Sequence, residues 1–130
     1  MKHLLTLLLF ISTSVMAEII YLNCNEEVMI GDGLYDDYYG KKRSTIYRYD
    51  NIKKRIKSTS YYPFISNELA CDEYETDLNC FDGSIKGRYE RIYLNRITLE
   101  VKHYFHKQSE RDGMDMWESK GKCDIENRKL

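Results

Sequence analysis

Proline occurs once, at Pro63, in this chain of 130 residues, tryptophan once and histidine three times. A single proline excludes a proline-rich linker or recognition tail. Long apolar runs are missing too. The longest, residues 4–11, is about eight residues with Thr6 inside it, against the roughly 20 that a membrane-spanning helix needs. Charge is balanced, with 20 Lys and Arg against 21 Asp and Glu, so the strongly basic face of a nucleic-acid binder is absent. No 3.6-residue hydrophobic repeat persists beyond about two turns, which excludes a helical bundle. No internal repeat, linker or low-complexity segment stands out.

What the N-terminus does have is the order of parts of an export signal: Lys2, then the apolar stretch, then the small-residue end Val15-Met16-Ala17. Cleavage is expected after Ala17, which makes residues 1–17 a signal peptide and residues 18–130 a single exported domain, periplasmic or secreted. Residues Tyr21-Leu22-Asn23 before Cys24 lack the pattern that precedes a lipidated cysteine. Loss of Lys2 with the signal makes the mature chain slightly more acidic.

All four cysteines, Cys24, Cys71, Cys80 and Cys123, lie beyond the signal. An even count in an exported chain predicts two disulfides. The close paired spacing of a zinc site is absent, so no metal and no cofactor is expected. Four cysteines allow three connectivities, and spacing alone does not choose among them. The pairing Cys71 with Cys80 and Cys24 with Cys123 is the one that staples neighbouring strands and ties the first strand to the last.

Composition leans towards strands, with 12 tyrosines among the aromatics. Alternation says the same: Ile97, Leu99, Val101, His103 and Phe105 take turns with polar neighbours, and Glu90, Ile92 and Leu94 alternate with Tyr89, Arg91 and Tyr93 across an Asn95-Arg96 link. A second hairpin is expected where residues 45–49 meet residues 52–56 across Asp50-Asn51. Further strands are expected over residues 19–24, 61–65, 78–81 and 114–119, with turns at Gly31-Asp32-Gly33, Asp82-Gly83, Asp112-Gly113 and Gly121. The expected fold is all-β: a small antiparallel up-and-down barrel of about eight strands braced by two disulfides. Polar residues on the non-core face of nearly every strand exclude a membrane-spanning barrel.

Catalytic chemistry is hard to place. Only His103 and His106 remain after the signal, and an i, i+3 pair on a strand points to opposite faces. No nucleophile accompanies them, and pairs among so many acidic residues carry no signal. The basic runs Lys41-Lys42-Arg43 and Lys53-Lys54-Arg55 read as a solvated loop and a charged edge strand that resists pairing. The segment Gly33 to Gly40 is different. Tyr35, Asp36, Asp37, Tyr38 and Tyr39 lie between glycines in what reads as a loop, and tyrosine is over-represented where proteins meet. The plainer alternative is that these tyrosines pack over a barrel end.

Leu22-Asn23-Cys24, Cys71 with Cys80, Asn95-Arg96-Ile97-Thr98 and Gly121-Lys122-Cys123, in that order, resemble a group of short exported β-rich proteins of Gram-negative bacteria. That resemblance implies a periplasmic or secreted domain and no particular activity. A weaker likeness is to periplasmic inhibitors of C-type lysozyme, small disulfide-bonded β-barrels, through Gly87-Arg88-Tyr89 and Trp117-Glu118-Ser119-Lys120-Gly121. Here those fragments stand far apart, and Ser84 is separated from Gly87 where the family keeps Ser and Gly adjacent.

The function expected from these features is a non-enzymatic binding module. It presents loops from a rigid barrel to a protein partner in the envelope or outside the cell, with lysozyme inhibition as the sharpest form. The alternatives are a small periplasmic hydrolase, which the sparse histidines oppose, and a small-ligand carrier, since an eight-stranded barrel has room for one ligand.

Overall fold

The computed structural model describes residues 19–58, 68–83, 86–108 and 113–126. The signal peptide expected over residues 1–17 and the strand expected over residues 61–65 lie outside them. Eight antiparallel strands close into a barrel in sequence order, each paired with the next and the last with the first. They are β1 (Ile19–Asp32), β2 (Lys42–Asp50), β3 (Arg55–Ser58), β4 (Leu69–Glu73), β5 (Asp77–Asp82), β6 (Arg88–Asn95), β7 (Glu100–Gln108) and β8 (Met114–Glu126), with a short 3-10 helix, Gly33–Tyr38, between β1 and β2. No helix among the described residues is long and apolar enough to cross a membrane.

Several boundaries differ from those expected, each for a local reason. Gly31 and Asp32 end β1 instead of forming a turn, and the chain from Gly33 coils into the 3-10 helix, not an open loop. At the second hairpin, residues 51–54 form the turn and β3 begins only at Arg55. The Asp50 side chain accepts hydrogen bonds from the Ile52 and Lys53 amides, and Lys54 closes the turn at φ 55°. The same device follows β6: Asn95 accepts from Ile97 and Thr98, Leu99 sits at φ 61°, and Ile97 falls outside β7. A side-chain acceptor that mimics a backbone turn competes well with strand extension. β4 has only two apolar residues on its core face, Leu69 and Cys71, and so gave little alternation to read.

The two disulfides are Cys24–Cys123 and Cys71–Cys80, each between directly opposed residues. They mark an internal repeat, where none was expected from the sequence. Leu22-Asn23-Cys24 in β1 matches Leu78-Asn79-Cys80 in β5. The Asp50 turn matches the Asn95 turn, with Asn51 and Arg96 buried at the same place in each. Cys71-Asp72 in β4 matches Cys123-Asp124 in β8. The Lys54 carbonyl accepts from the Cys71 amide and the Leu99 carbonyl from the Cys123 amide, both at 2.8 Å. Each disulfide thus joins the last strand of one four-strand half to the first strand of the other. The register of first against second strand shifts by two residues between the halves: Cys24 faces Thr45, five before Asp50, and Cys80 faces Ile92, three before Asn95.

The repeat also departs in link length, at β3–β4, where residues 57–68 answer to 109–113, and between β1 and β2. Residues 28–41 join those strands where the other half uses residues 83–89. In an up-and-down barrel the odd-to-even links share one end and the even-to-odd links share the other. The 3-10 helix therefore stands at the end that also carries the β3–β4, β5–β6 and β7–β8 links. The tight turns around Ile52 and Ile97 lie at the opposite end.

Inward residues stack in layers as each strand advances by twos. Lowest is an apolar layer that includes Leu22, Tyr49, Ile56, Leu78, Ile92, Leu94 and Val101. Above it, Glu26, His103, Glu90 and Ser119 are all buried. Above them, Val28, Tyr35, Phe105 and Trp117 form an aromatic layer beneath the 3-10 helix. Side chains occupy these interior layers, a poor fit to a ligand-carrying barrel.

Candidate functional site

Two glycines let the 3-10 helix lie on the barrel mouth. A Cβ at Gly31 would overlap the Tyr35 carbonyl, and Gly33, at φ 68°, passes so close to Asp115 that a Cβ would overlap its carboxylate. Held this way, the segment divides its tyrosines. Tyr35 is 5% exposed and meets Phe105 and Trp117 edge-on, both at 6.1 Å between ring centroids. Tyr38 is half-buried with its ring 5.5 Å from that of Trp117. Tyr39 is 69% exposed, and Asp36 and Asp37 are exposed beside it. Of the five residues singled out by sequence, Tyr35 and Tyr38 form the base, and Asp36, Asp37 and Tyr39 form the outer tip.

Cations ring this aromatic base. The Arg43 guanidinium lies 4.7 Å from the centroid of Trp117, Arg88 lies 5.3 Å from that of Phe105, and the Lys41 ammonium lies 5.6 Å from that of Tyr38. Such contacts fix long side chains against rings and stiffen the rim.

Beneath the aromatic layer runs a buried hydrogen-bonded chain whose members are scattered through the sequence. Trp117 Nε1 donates to Ser119 Oγ at 3.2 Å, and the Ser119 hydroxyl donates to Glu26 at 2.9 Å. Tyr47 donates to both oxygens of Glu26 at 3.0 Å. His103 Nε2 lies 2.8 Å from Glu90, and its Nδ1 lies 3.5 Å from the Tyr47 oxygen. Tyr47 commits its one proton to Glu26, so towards His103 its oxygen can only accept. Ser119 likewise commits its proton to Glu26 and not to His103. With both hydroxyls donating to a buried carboxylate and His103 fully buried, the chain is built as structural glue across β1, β2, β6, β7 and β8. His106 points outward and packs on Tyr89, ring centroids 5.9 Å apart. The signal available in the sequence was the phase of alternation, which puts Glu26 inward between Cys24 and Val28, and Glu90 inward beside Ile92.

Burial pushes the Tyr47 phenol well above its ordinary pKa of 10.0, and the neighbouring Glu26 charge and hydrogen bond add to the rise against the pull of Arg43. Tyr49 is raised for the same first reason, with Glu73 beside it. A raised tyrosine pKa contributes stability that is whole below about pH 10 and is lost as pH climbs through the folded-state value. Absorbance at 295 nm is therefore expected to show two phases: exposed tyrosines ionising first, then buried ones only as circular dichroism is lost. Tyr47→Phe is expected to cost about 1–3 kcal/mol at pH 7 by stripping a donor from Glu26, while shrinking the second phase. A single phase with circular dichroism intact would contradict the assignment.

On the outer wall, β8, β1 and β2 border a groove of about 560 Å³ lined by Asn25, Glu26, Glu27, Lys42, Arg43 and Lys120. The second basic run lies elsewhere: Lys53 and Lys54 are in the β2–β3 turn, and Lys54 pairs with Glu73. Because the barrel is closed, neither run marks an edge strand, which corrects the edge-protection reading.

Comparisons of the chain with protein-family models, with curated proteins and with solved structures find no match.

Proposed function

We propose that this chain is a non-enzymatic exported binding module, working in the periplasm or outside the cell and presenting the tip Asp36, Asp37 and Tyr39 to a protein partner. The observation that carries this reading is the broken repeat. The two halves match in their cysteine flanks and turns, yet the first joins its first two strands by a longer segment, residues 28–41 against 83–89, folded back onto the barrel mouth. Its aromatic base is locked against Trp117, so the tip is held without the entropy loss of ordering a free loop on binding. Two disulfides suit an oxidising compartment.

A cationic protein suits the two carboxylates, and C-type lysozyme is the sharpest candidate, in line with the Gly87-Arg88-Tyr89 and Trp117 to Gly121 likeness. Calorimetric titration of the mature protein with a C-type lysozyme tests it. One-to-one binding is expected, weakened roughly thirtyfold by Tyr39→Ala, the equivalent of about 2 kcal/mol at an interface hot spot. Asp36→Asn with Asp37→Asn is expected to slow association and flatten its salt dependence. No heat of binding would remove lysozyme as the partner. Binding unaffected by all three changes would remove the tip as the site.

A further inference from the structure

The run Lys41-Lys42-Arg43 needs another explanation once the barrel is closed. Along the outer wall, Lys42 on β2, Glu27 on β1, Lys120 on β8 and Lys102 on β7 form one row, each the cross-strand partner of the next. All four are exposed. Lys102 and Lys120 face each other directly, an arrangement that destabilises a sheet.

The groove of about 560 Å³ lies along this row and is open to solvent. Its lining is mixed. Lys42 and Lys120 offer positive charge, while Asn25 and Glu27 offer acceptors for hydroxyl donors; the Arg43 guanidinium lies over Trp117 on the inner face. A bare polyanion such as a nucleic-acid backbone meets repulsion from Glu27. A ligand carrying both an anionic group and hydroxyls satisfies both halves of the lining. We propose that this groove binds an acidic saccharide, a sugar unit bearing a carboxylate or a phosphate, with Lys42 and Lys120 on the anion and Asn25 and Glu27 on the hydroxyls. The groove is on the wall and not on the Asp36 to Tyr39 tip, so its test stands apart from that of the protein-binding reading.

The test is a nuclear magnetic resonance titration of the mature, oxidised protein with digalacturonate, glucose 6-phosphate and maltose, at low salt and at about 0.15 M. At least one acidic sugar is expected to shift the amides of Asn25, Lys42 and Lys120 and to loosen with salt, while maltose does neither. The preferred acid identifies the group as carboxylate or phosphate. Lys42→Gln and Lys120→Gln are each expected to weaken binding about fivefold, the value of one charge pair in a wet site. Lys120→Gln is expected to leave the melting temperature unchanged or raised, since it relieves the repulsion with Lys102. Failure of both acidic sugars to shift these amides, equal binding of maltose, or full affinity in both glutamine variants would overturn the proposal. A clear fall in melting temperature for Lys120→Gln would also overturn it, by showing that the lysine serves the barrel.

Discussion

Replacing Cys24 and Cys123 together by Ala is expected to lower stability by about 4–5 kcal/mol, because this bond closes a loop of nearly the whole domain, 99 residues in sequence separation. The same change at Cys71 and Cys80, only 9 residues apart, is expected to cost no more than about 3 kcal/mol. Position sharpens the contrast. Cys24–Cys123 sits on the seam where the first strand meets the last, and that seam also holds Val28 to Asp32, from which the 3-10 helix springs. Urea denaturation of the two double variants checks the order. Equal losses, or a larger loss at Cys71–Cys80, would contradict a barrel whose closure depends on the seam.

Trp117→Ala is expected to cost about 3–5 kcal/mol, the range for emptying a large aromatic site in a core. Trp117 is 1% exposed, meets Tyr35, Tyr38 and Arg43, and donates to Ser119 at the head of the buried polar chain. Its loss removes the floor of the 3-10 helix and a hydrogen bond in one step. Tyr39→Ala, by comparison, is expected to change stability by less than about 0.5 kcal/mol, since an exposed side chain away from such features contributes little. Denaturant midpoints of the two variants give the comparison. A Trp117→Ala protein as stable as the parent would mean that the aromatic layer is not what seats the helix.

The barrel was legible in the sequence because its strands alternate. Ile92 and Leu94 in β6 and Val101, His103 and Phe105 in β7 fall on the inward phase, and of the three connectivities open to four cysteines the structure has the one that suits a closed barrel. The turns fall a few residues from where alternation places them, because Ile52, Ile97 and Leu99 are apolar and continue the hydrophobic pattern while Asp50 and Asn95 redirect the backbone. The repeat was hidden for a physical reason: only the cysteine flanks and turn acceptors must match between halves, and the inward positions accept any residues that fill the layer. Division of the tyrosine segment into Tyr35 and Tyr38 beneath and Tyr39 outside was not readable either. It depends on the 3-10 geometry imposed by close approach at Gly31 and Gly33, which no alternation announces.

Site-specific photo-crosslinking in exporting cells tests the central claim most directly. A benzophenone amino acid is placed at Tyr39, on the tip, and in a second strain at Ile52, also exposed, in a turn at the opposite end of the barrel. A discrete protein adduct from position 39 and none from position 52 is the result that a tip-presenting binding module predicts. An adduct from position 52 alone, or from neither position, would contradict it.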